Sequence, residues 1–224
     1  MPEFLLYLLL IAAFIFSIFT SVNVKSTFRK YNRMPSSRGV SAATIARQIL
    51  DSNGLYNVQV TRVSGELTDH YDPRTNTVAL SAPVYDSISV GAIGVAAHEV
   101  GHAIQYAKNY TPIKIRMAIL PVAQFGSSAW ILFFILGIVF NISLLRGVGI
   151  GLFAAIVLFQ LITLPVEFNA SSRALATIKD QGILFAEEYK GAKKTLTAAA
   201  MTYVASLAVA LLQLLRLIAS SRRD

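Results

Sequence analysis

Four long stretches without a charged side chain are the feature that most constrains how this chain of 224 residues can fold. They cover residues 4–24, 117–145, 147–166 and 195–215, and they contain 21, 29, 20 and 21 residues. A helix of about 20 apolar residues spans the hydrocarbon core of a bilayer. Because 54% of the chain is hydrophobic and only 14% is charged, too few residues remain to cover four such helices in a soluble core. The sequence therefore predicts an integral membrane protein with about four transmembrane helices.

The net charge of +8 is concentrated next to the apolar stretches, where positive charge orients membrane proteins. If residues 25–116 are cytoplasmic, that segment and residues 173–194 place sixteen Lys and Arg inside, against three outside, namely Arg146, Arg222 and Arg223. This bias predicts an N-terminus outside and both polar segments in the cytoplasm. The basic and aromatic residues are not interleaved in the way that proteins use to bind single-stranded nucleic acid, so the pattern predicts contact with the lipid bilayer and no nucleic-acid partner.

The polar segment 25–116 has local patterns of a small α+β unit. A helix is predicted to follow Ser41 as its N-cap and to end at Gly54. The run "YNVQVTRV" alternates as a strand does, and "LTDHYDPRTNTVALS" predicts two short strands around the turn "DPRTN". A second helix is predicted from about Tyr85 to Lys108.

The second predicted helix contains "HEVGH", with His98, Glu99 and His102. Residues four apart lie on one face of a helix, one turn from each other, so His98 and His102 can reach the same metal ion. Glu99 is rotated by about 100° from His98, which places its carboxylate beside the metal rather than on it. There it can accept a proton from a water molecule that the metal activates. The spacing is typical of a zinc peptidase and predicts one Zn²⁺ per chain.

A catalytic zinc usually has three protein ligands, and the third is not in this motif. The chain has no cysteine, and its one other histidine is His70, so a carboxylate is favoured. The acidic candidates are Glu167, Asp180, Glu187 and Glu188. Because the chain crosses the bilayer twice between His102 and Glu167, both residues emerge on the same face. This favours Glu167 as the third ligand, with His70 and the other carboxylates as alternatives.

Four segments in this order resemble the YugP-type neutral zinc membrane proteases: "LTDHYDP", "VALS", "AAHEVGHAIQ" and "LPVEFNASSRAL". The last also resembles, more distantly, the third-ligand element of the HtpX-like membrane zinc metalloproteases. The resemblance implies a bacterial membrane zinc metallopeptidase, and it supports Glu167 as a ligand. Asn169 and Ser171 depart from the pattern, since aspartate is expected at the first position, and HtpX-like enzymes carry it at the second. A carboxylate there would orient a zinc-binding histidine, so a neutral side chain implies lower metal affinity or activity.

Two further segments have a functional and a structural interpretation that are equally consistent with the sequence. His70 and Tyr71 could stabilise the oxyanion formed in peptide hydrolysis, or they could be ordinary strand residues next to a turn. The strand "NTVALS" could offer a free edge to which a substrate peptide adds as a further strand. An ordinary half-buried strand explains the same pattern.

The predicted fold class is a mainly α integral membrane protein with a small α+β, zincin-like catalytic segment. Its predicted parts are an anchor (1–24), the catalytic segment (25–116), a transmembrane hairpin (117–166), a third-ligand segment (167–194) and a last transmembrane helix with its tail (195–224). The favoured function is a membrane zinc endopeptidase that cuts membrane or membrane-proximal proteins at the cytoplasmic face, with protein or peptide substrates. Cleavage within the membrane is less favoured, because Asp86 and Lys108 bound the motif helix. A catalytically weak or inactive scaffold that binds membrane proteins is the alternative from another class.

Overall fold

The computed structural model describes residues 3–221 and is mainly helical. Seven helices are described: α1 (Glu3–Asn32), α2 (Ala42–Ser52), α3 (Ala82–Tyr85), α4 (Val90–Ala107), α5 (Thr111–Val139), α6 (Ser143–Asp180) and α7 (Ala186–Ser221). Three strands form one sheet: β1 (Gln59–Val63), β2 (His70–Asp72) and β3 (Thr77–Ser81). Within the described residues, α1, α5, α6 and α7 are each long and apolar enough to cross a membrane. The predicted fold class is therefore confirmed.

The helices that contain the four apolar stretches differ from the predicted spans in their limits. The stretch 117–145 is divided by a turn, since α5 ends at Val139 and α6 begins at Ser143. Asn141 has a positive φ of 51°, and the Ile142 amide donates to the Gly137 carbonyl, which ends α5 within an apolar sequence. In the other direction, α6 continues past the apolar stretch to Asp180. The charges counted at Arg222 and Arg223 lie outside the described residues.

One of two compact units contains the residues before Ser21, those of Thr111–Pro165 and those after Ala200. Its core contains Phe134, Phe153 and Leu207, one from each of α5, α6 and α7. A Cβ added to Gly149 would lie 2.8 Å from the Phe134 amide nitrogen, so glycine allows α5 and α6 to approach closely. Close contact of backbones at small residues is how helices associate within lipid, where no hydrophobic effect drives them together.

The second unit comprises Ser21–Tyr110 and Val166–Ala200. Its helix α2 begins as predicted, because the Ser41 hydroxyl oxygen accepts a hydrogen bond from the Thr44 amide at 3.3 Å. The buried side chains of α2 lie at positions i, i+3, i+4, i+7 and i+8 of the helix: Ala42, Ile45, Ala46, Ile49 and Leu50. This spacing puts one apolar face of an amphipathic helix against the rest of the unit.

The sheet has the order β1-β3-β2, with β1 parallel and β2 antiparallel to β3. The strands predicted from "YNVQVTRV" and on both sides of "DPRTN" are present. However, β3 is the central strand: it pairs with β1 along its whole length and with β2 at Thr77, Val78 and Ala79. The hypothesis that β3 offers a free edge to a substrate peptide is therefore wrong.

Helix α4 carries the HEVGH motif, and 14 of its 18 residues are buried. It begins at Val90, not near Tyr85 as predicted, because the short helix α3 ends at Tyr85 and Ser89 caps α4. The Ser89 hydroxyl accepts from the Ala92 amide at 3.2 Å and donates to Asn32 Oδ1 at 2.6 Å. These contacts fix where the motif helix starts in the core of the unit.

Candidate metal site

The candidate site lies where α4 meets the part of α6 that follows Pro165. A Cβ added to Gly101 would lie only 2.7 Å from the Ala170 carbonyl oxygen, so the two helices are in contact at this point. Since Gly101 lies between the two histidines of HEVGH, the same contact turns both imidazoles toward α6. Because residue 101 has no side chain, α4 and α6 lie close enough for side chains from both helices to reach the same metal ion.

His98, His102 and Glu167 each place one possible ligand atom within 4.8 Å of the other two. The Glu167 Oε2 atom is 3.3 Å from His98 Nε2 and 3.6 Å from His102 Nε2. The Glu167 side chain is 3% exposed, and those of His98 and His102 are 14% and 10% exposed. Of the four acidic candidates from the sequence, only Glu167 comes together with the two histidines.

The three residues fit a zinc ion in both ligand chemistry and spacing. Zinc binds imidazole nitrogen and carboxylate oxygen at about 2.0–2.2 Å, so two ligand atoms of a tetrahedral site are about 3.3–3.6 Å apart. The separations of 3.3 and 3.6 Å are close to that value. Two histidines and one carboxylate also leave a fourth position open, as catalytic zinc sites require.

The alternative carboxylates from the sequence are used elsewhere or lie apart from this group. Glu188 accepts hydrogen bonds from the amides of Ser37 and Phe185. Glu187 forms an exposed ion pair with Lys190 at 2.6 Å. Among the described residues, the group of His98, His102 and Glu167 is the only set of three or more such side chains close enough to share a metal ion.

The second ring nitrogen of each histidine has a protein partner. His98 Nδ1 is 3.1 Å from the Ser171 hydroxyl, and His102 Nδ1 is 3.0 Å from Gln105 Oε1. Such contacts on the nitrogen that does not bind metal hold the ring in place. Ser171 therefore lies where a supporting side chain is predicted, with a neutral hydroxyl in place of a carboxylate.

Asn169 does not contact a histidine directly, although a direct contact is predicted. Its Oδ1 atom accepts hydrogen bonds from Gln105 Nε2 at 3.0 Å and from Arg173 Nε at 2.7 Å. It contacts His102 only through Gln105. Gln105 is not among the predicted site residues, although its position seven residues after His98 puts it on the same helix face.

Glu99 is 8% exposed, and among residues 3–221 its carboxylate makes no hydrogen bond or ion pair with the protein. Burial raises the pKa of the Glu99 carboxyl, and the neighbouring histidines oppose this increase. A buried carboxylate with a raised pKa and free oxygen atoms is suited to accept a proton. Asp69 adds a smaller upward contribution, and its own carboxylate is held by the Ser81 amide and hydroxyl at 2.7 and 2.9 Å.

Burial lowers the pKa of His102, but its hydrogen bond to Glu167 and the charges of Glu99 and Glu167 raise it by more. The net effect is a raised pKa in the protein without metal. An imidazole must be neutral to bind a metal ion, so a proton on His102 competes with metal binding at this site.

The two residues suggested for oxyanion stabilisation lie outside this group of three. His70 is exposed, and its Nδ1 donates to the Thr68 carbonyl at 2.8 Å, so only an imidazolium could donate through Nε2. The Tyr71 hydroxyl donates to Asn76 Oδ1 at 3.0 Å, and burial raises the pKa of Tyr71, so the hydroxyl stays protonated. Their role in catalysis stays a prediction.

A substitution at Gly101 tests whether the contact of α4 with α6 builds the site. Gly101→Ala is expected to weaken zinc binding and to destabilise the fold by about 1–3 kcal/mol, because the added methyl overlaps the Ala170 carbonyl. The measurements are zinc affinity and thermal unfolding of the protein in detergent. Gly147→Ala is the control, since a Cβ on this glycine of α6 meets nothing within 4 Å. Equal zinc affinity and stability in wild type and Gly101→Ala would contradict this account of the site.

The fold and the site define a multi-helix membrane protein whose two histidines and one glutamate can hold a metal ion. Comparison with known proteins gives the family. A family model described as "Putative neutral zinc metallopeptidase" matches residues 6–222, and the chain belongs to this family. It is 50% identical over 210 residues to "Putative membrane protease YugP" of Bacillus subtilis (strain 168), covering 94% of this chain and 93% of that protein. No solved structure matches the chain at a significant level.

Proposed function

We propose that this protein is an integral-membrane endopeptidase that holds one Zn²⁺ per chain through His98, His102 and Glu167. The observation that carries the proposal is the convergence of three ligand atoms, from two helices, within 4.8 Å. A zinc ion bound there supplies a Lewis acid that polarises a peptide carbonyl and makes water a stronger acid. The test is zinc-dependent cleavage of labelled casein by the purified protein in detergent, which disappears in Glu99→Gln.

Glu99 is the proposed general base. It follows His98 directly, so its carboxylate is rotated away from the three ligand atoms but remains beside them. Its oxygen atoms have no hydrogen bond to the rest of the described protein and are free to take a proton from the attacking water. The same carboxyl group can then give this proton to the leaving amine.

The proposed substrates are membrane proteins or peptides next to the membrane. The four apolar helices are long and apolar enough to hold the protein in the bilayer. A site that is held there favours substrates that are also in the membrane or next to it. Helix α4 has 18 residues and is not one of the four candidate spans, which supports a site outside the hydrocarbon core. The proposed location is the bacterial cell membrane, with the site on the cytoplasmic side.

The orientation can be tested by labelling single cysteines, because the chain has none of its own. Ser143→Cys lies at the turn between α5 and α6, and Ser64→Cys lies in the loop after β1, both at exposed positions. A membrane-impermeant maleimide is expected to label Ser143→Cys in intact cells and Ser64→Cys only after lysis. The expectation follows from the excess of Lys and Arg beside the polar segments. Labelling in the reverse pattern would place the site outside the cytoplasm.

A scaffold that binds membrane proteins without cutting them is the second candidate. The observation in its favour is that both histidines are supported by neutral groups, Ser171 and Gln105, where a carboxylate would give stronger support. A scaffold would keep its binding partners when Glu99 is replaced by glutamine, and its wild-type form would not cut casein.

A further inference from the structure

Gln105 is completely buried, and its side chain connects α4 to α6. Its amide makes three hydrogen bonds, to the His102 ring, to the Val166 carbonyl and to the Asn169 side chain. A buried amide without partners is costly, so these contacts hold the group firmly in one orientation.

The orientation of this amide follows from the chemistry of its partners. The Val166 carbonyl oxygen can only accept, so the Gln105 atom 2.8 Å away is the NH₂ group. The second hydrogen of the NH₂ group is donated to Asn169 Oδ1 at 3.0 Å. The Gln105 oxygen therefore faces His102 Nδ1, at 3.0 Å, and can only accept from it. In a neutral ring the proton of His102 is then on Nδ1, and the lone pair of Nε2 is free for a metal ion.

Asn169 is itself held in one orientation. Arg173 donates from Nε to Asn169 Oδ1 at 2.7 Å, and a guanidinium has no acceptor, so the Oδ1 atom must face both Arg173 and Gln105. The asparagine oxygen thus offers the acceptor that an aspartate would offer. A chain of hydrogen bonds runs from His102 through Gln105 to Asn169, and Arg173 donates to its last member.

His98 has no comparable support. Its Nδ1 partner is the Ser171 hydroxyl, which can donate or accept, so this contact does not select one tautomer of the ring. The His98 side chain is also somewhat more exposed than that of His102, at 14% against 10%. Water can replace a lost hydroxyl at a more exposed ring more easily than it can replace a buried amide.

We infer that Gln105 is the positioning residue of the proposed zinc site, which fixes the tautomer and direction of His102 with Asn169 as its anchor. The inference rests on the proposed function, because it concerns how His102 presents Nε2 to the metal ion. It assigns the supporting role at His102 to an amide on the motif helix itself. The expected loss when such a partner is removed is about 10- to 100-fold in metal affinity.

The test is zinc affinity of the full chain in detergent, measured by competition with a chromophoric chelator. Gln105→Met keeps the volume but removes the acceptor, and it is expected to bind zinc about 10- to 100-fold more weakly than wild type. Ser171→Ala, the matched variant at the other histidine, is expected to lose less. The thermal unfolding of each metal-free variant shows whether the change is confined to the metal site. A folded Gln105→Met with wild-type zinc affinity would overturn the inference.

A second pair of variants keeps the test decisive if Gln105→Met does not fold. Asn169→Asp retains an oxygen for Gln105 and Arg173 and is expected to keep zinc affinity, whereas Asn169→Leu removes this acceptor and is expected to weaken binding. Equal affinity in the two variants would overturn the role of the anchor. If the wild type binds no zinc at all, the proposed metal site itself is overturned, and this inference with it.

Discussion

Replacement of Glu99 by glutamine is expected to abolish casein cleavage and leave zinc binding intact. An amide has nearly the same size as the carboxylate but cannot accept the proton of the attacking water, and loss of a general base costs about 10²–10⁴-fold in rate. Zinc stays bound, because Glu99 is not among the three residues whose ligand atoms converge. Casein cleavage and zinc content are measured on the same purified samples.

The stability of Glu99→Gln provides an internal check of this prediction. Burial raises the pKa of the Glu99 carboxyl in the folded protein. Because this pKa is raised, the ionised carboxylate lowers the stability of the folded protein at pH values above the unfolded-state pKa. The neutral amide of Glu99→Gln avoids this cost, so at neutral pH its Tm should equal that of the wild type or be higher. Glu66→Gln, at an exposed loop position, is the control and should cut casein as wild type does. Wild-type cleavage by Glu99→Gln would exclude Glu99 as the base.

The second large effect is expected for Glu167→Ala, which should lose zinc. Removal of a partner that only supports a ligand costs about 10- to 100-fold in metal affinity, so loss of a ligand itself should exceed about 100-fold. The residue is 2% exposed and its Oε2 lies within 3.6 Å of both histidines, so no exposed side chain can easily take its place. Zinc content and affinity are measured after purification in detergent.

Asp180→Ala is the matched control for Glu167→Ala. It removes a carboxylate from the same helix, at an exposed position near its C-terminal end. It should keep wild-type zinc content. Zinc retained in Glu167→Ala but lost in Asp180→Ala would move the third ligand away from Glu167 and contradict the site geometry.

The sequence predicted those features that depend on local spacing. The apolar face of α2 and its Ser41 cap follow from residue types a few positions apart, and so does the shared face of His98 and His102. The proposed third ligand, Glu167, could be inferred because the two apolar stretches between His102 and Glu167 are expected to return the chain to the same side of a membrane. Only the third ligand concerns segments far apart in the chain, and there the number of apolar spans, not the packing of side chains, carried the prediction.

Features that depend on contacts between distant segments could not be read from the sequence. The turn that separates α5 from α6 lies in an apolar stretch, where composition does not mark a boundary. The central position of β3 results from a parallel pairing with β1 that no local pattern specifies. Gln105 resembles an ordinary polar residue of a helix until α6 supplies the Val166 and Asn169 oxygen atoms.

The zinc stoichiometry of purified wild-type protein, beside Glu167→Ala, tests the central claim most directly. The claim is that residues far apart in the chain, His98 and His102 on α4 and Glu167 on α6, form one metal site. The predicted result is about one zinc per wild-type chain and almost none in the variant. A wild-type protein that binds no zinc even when it is supplied, or equal zinc in both proteins, would contradict the claim.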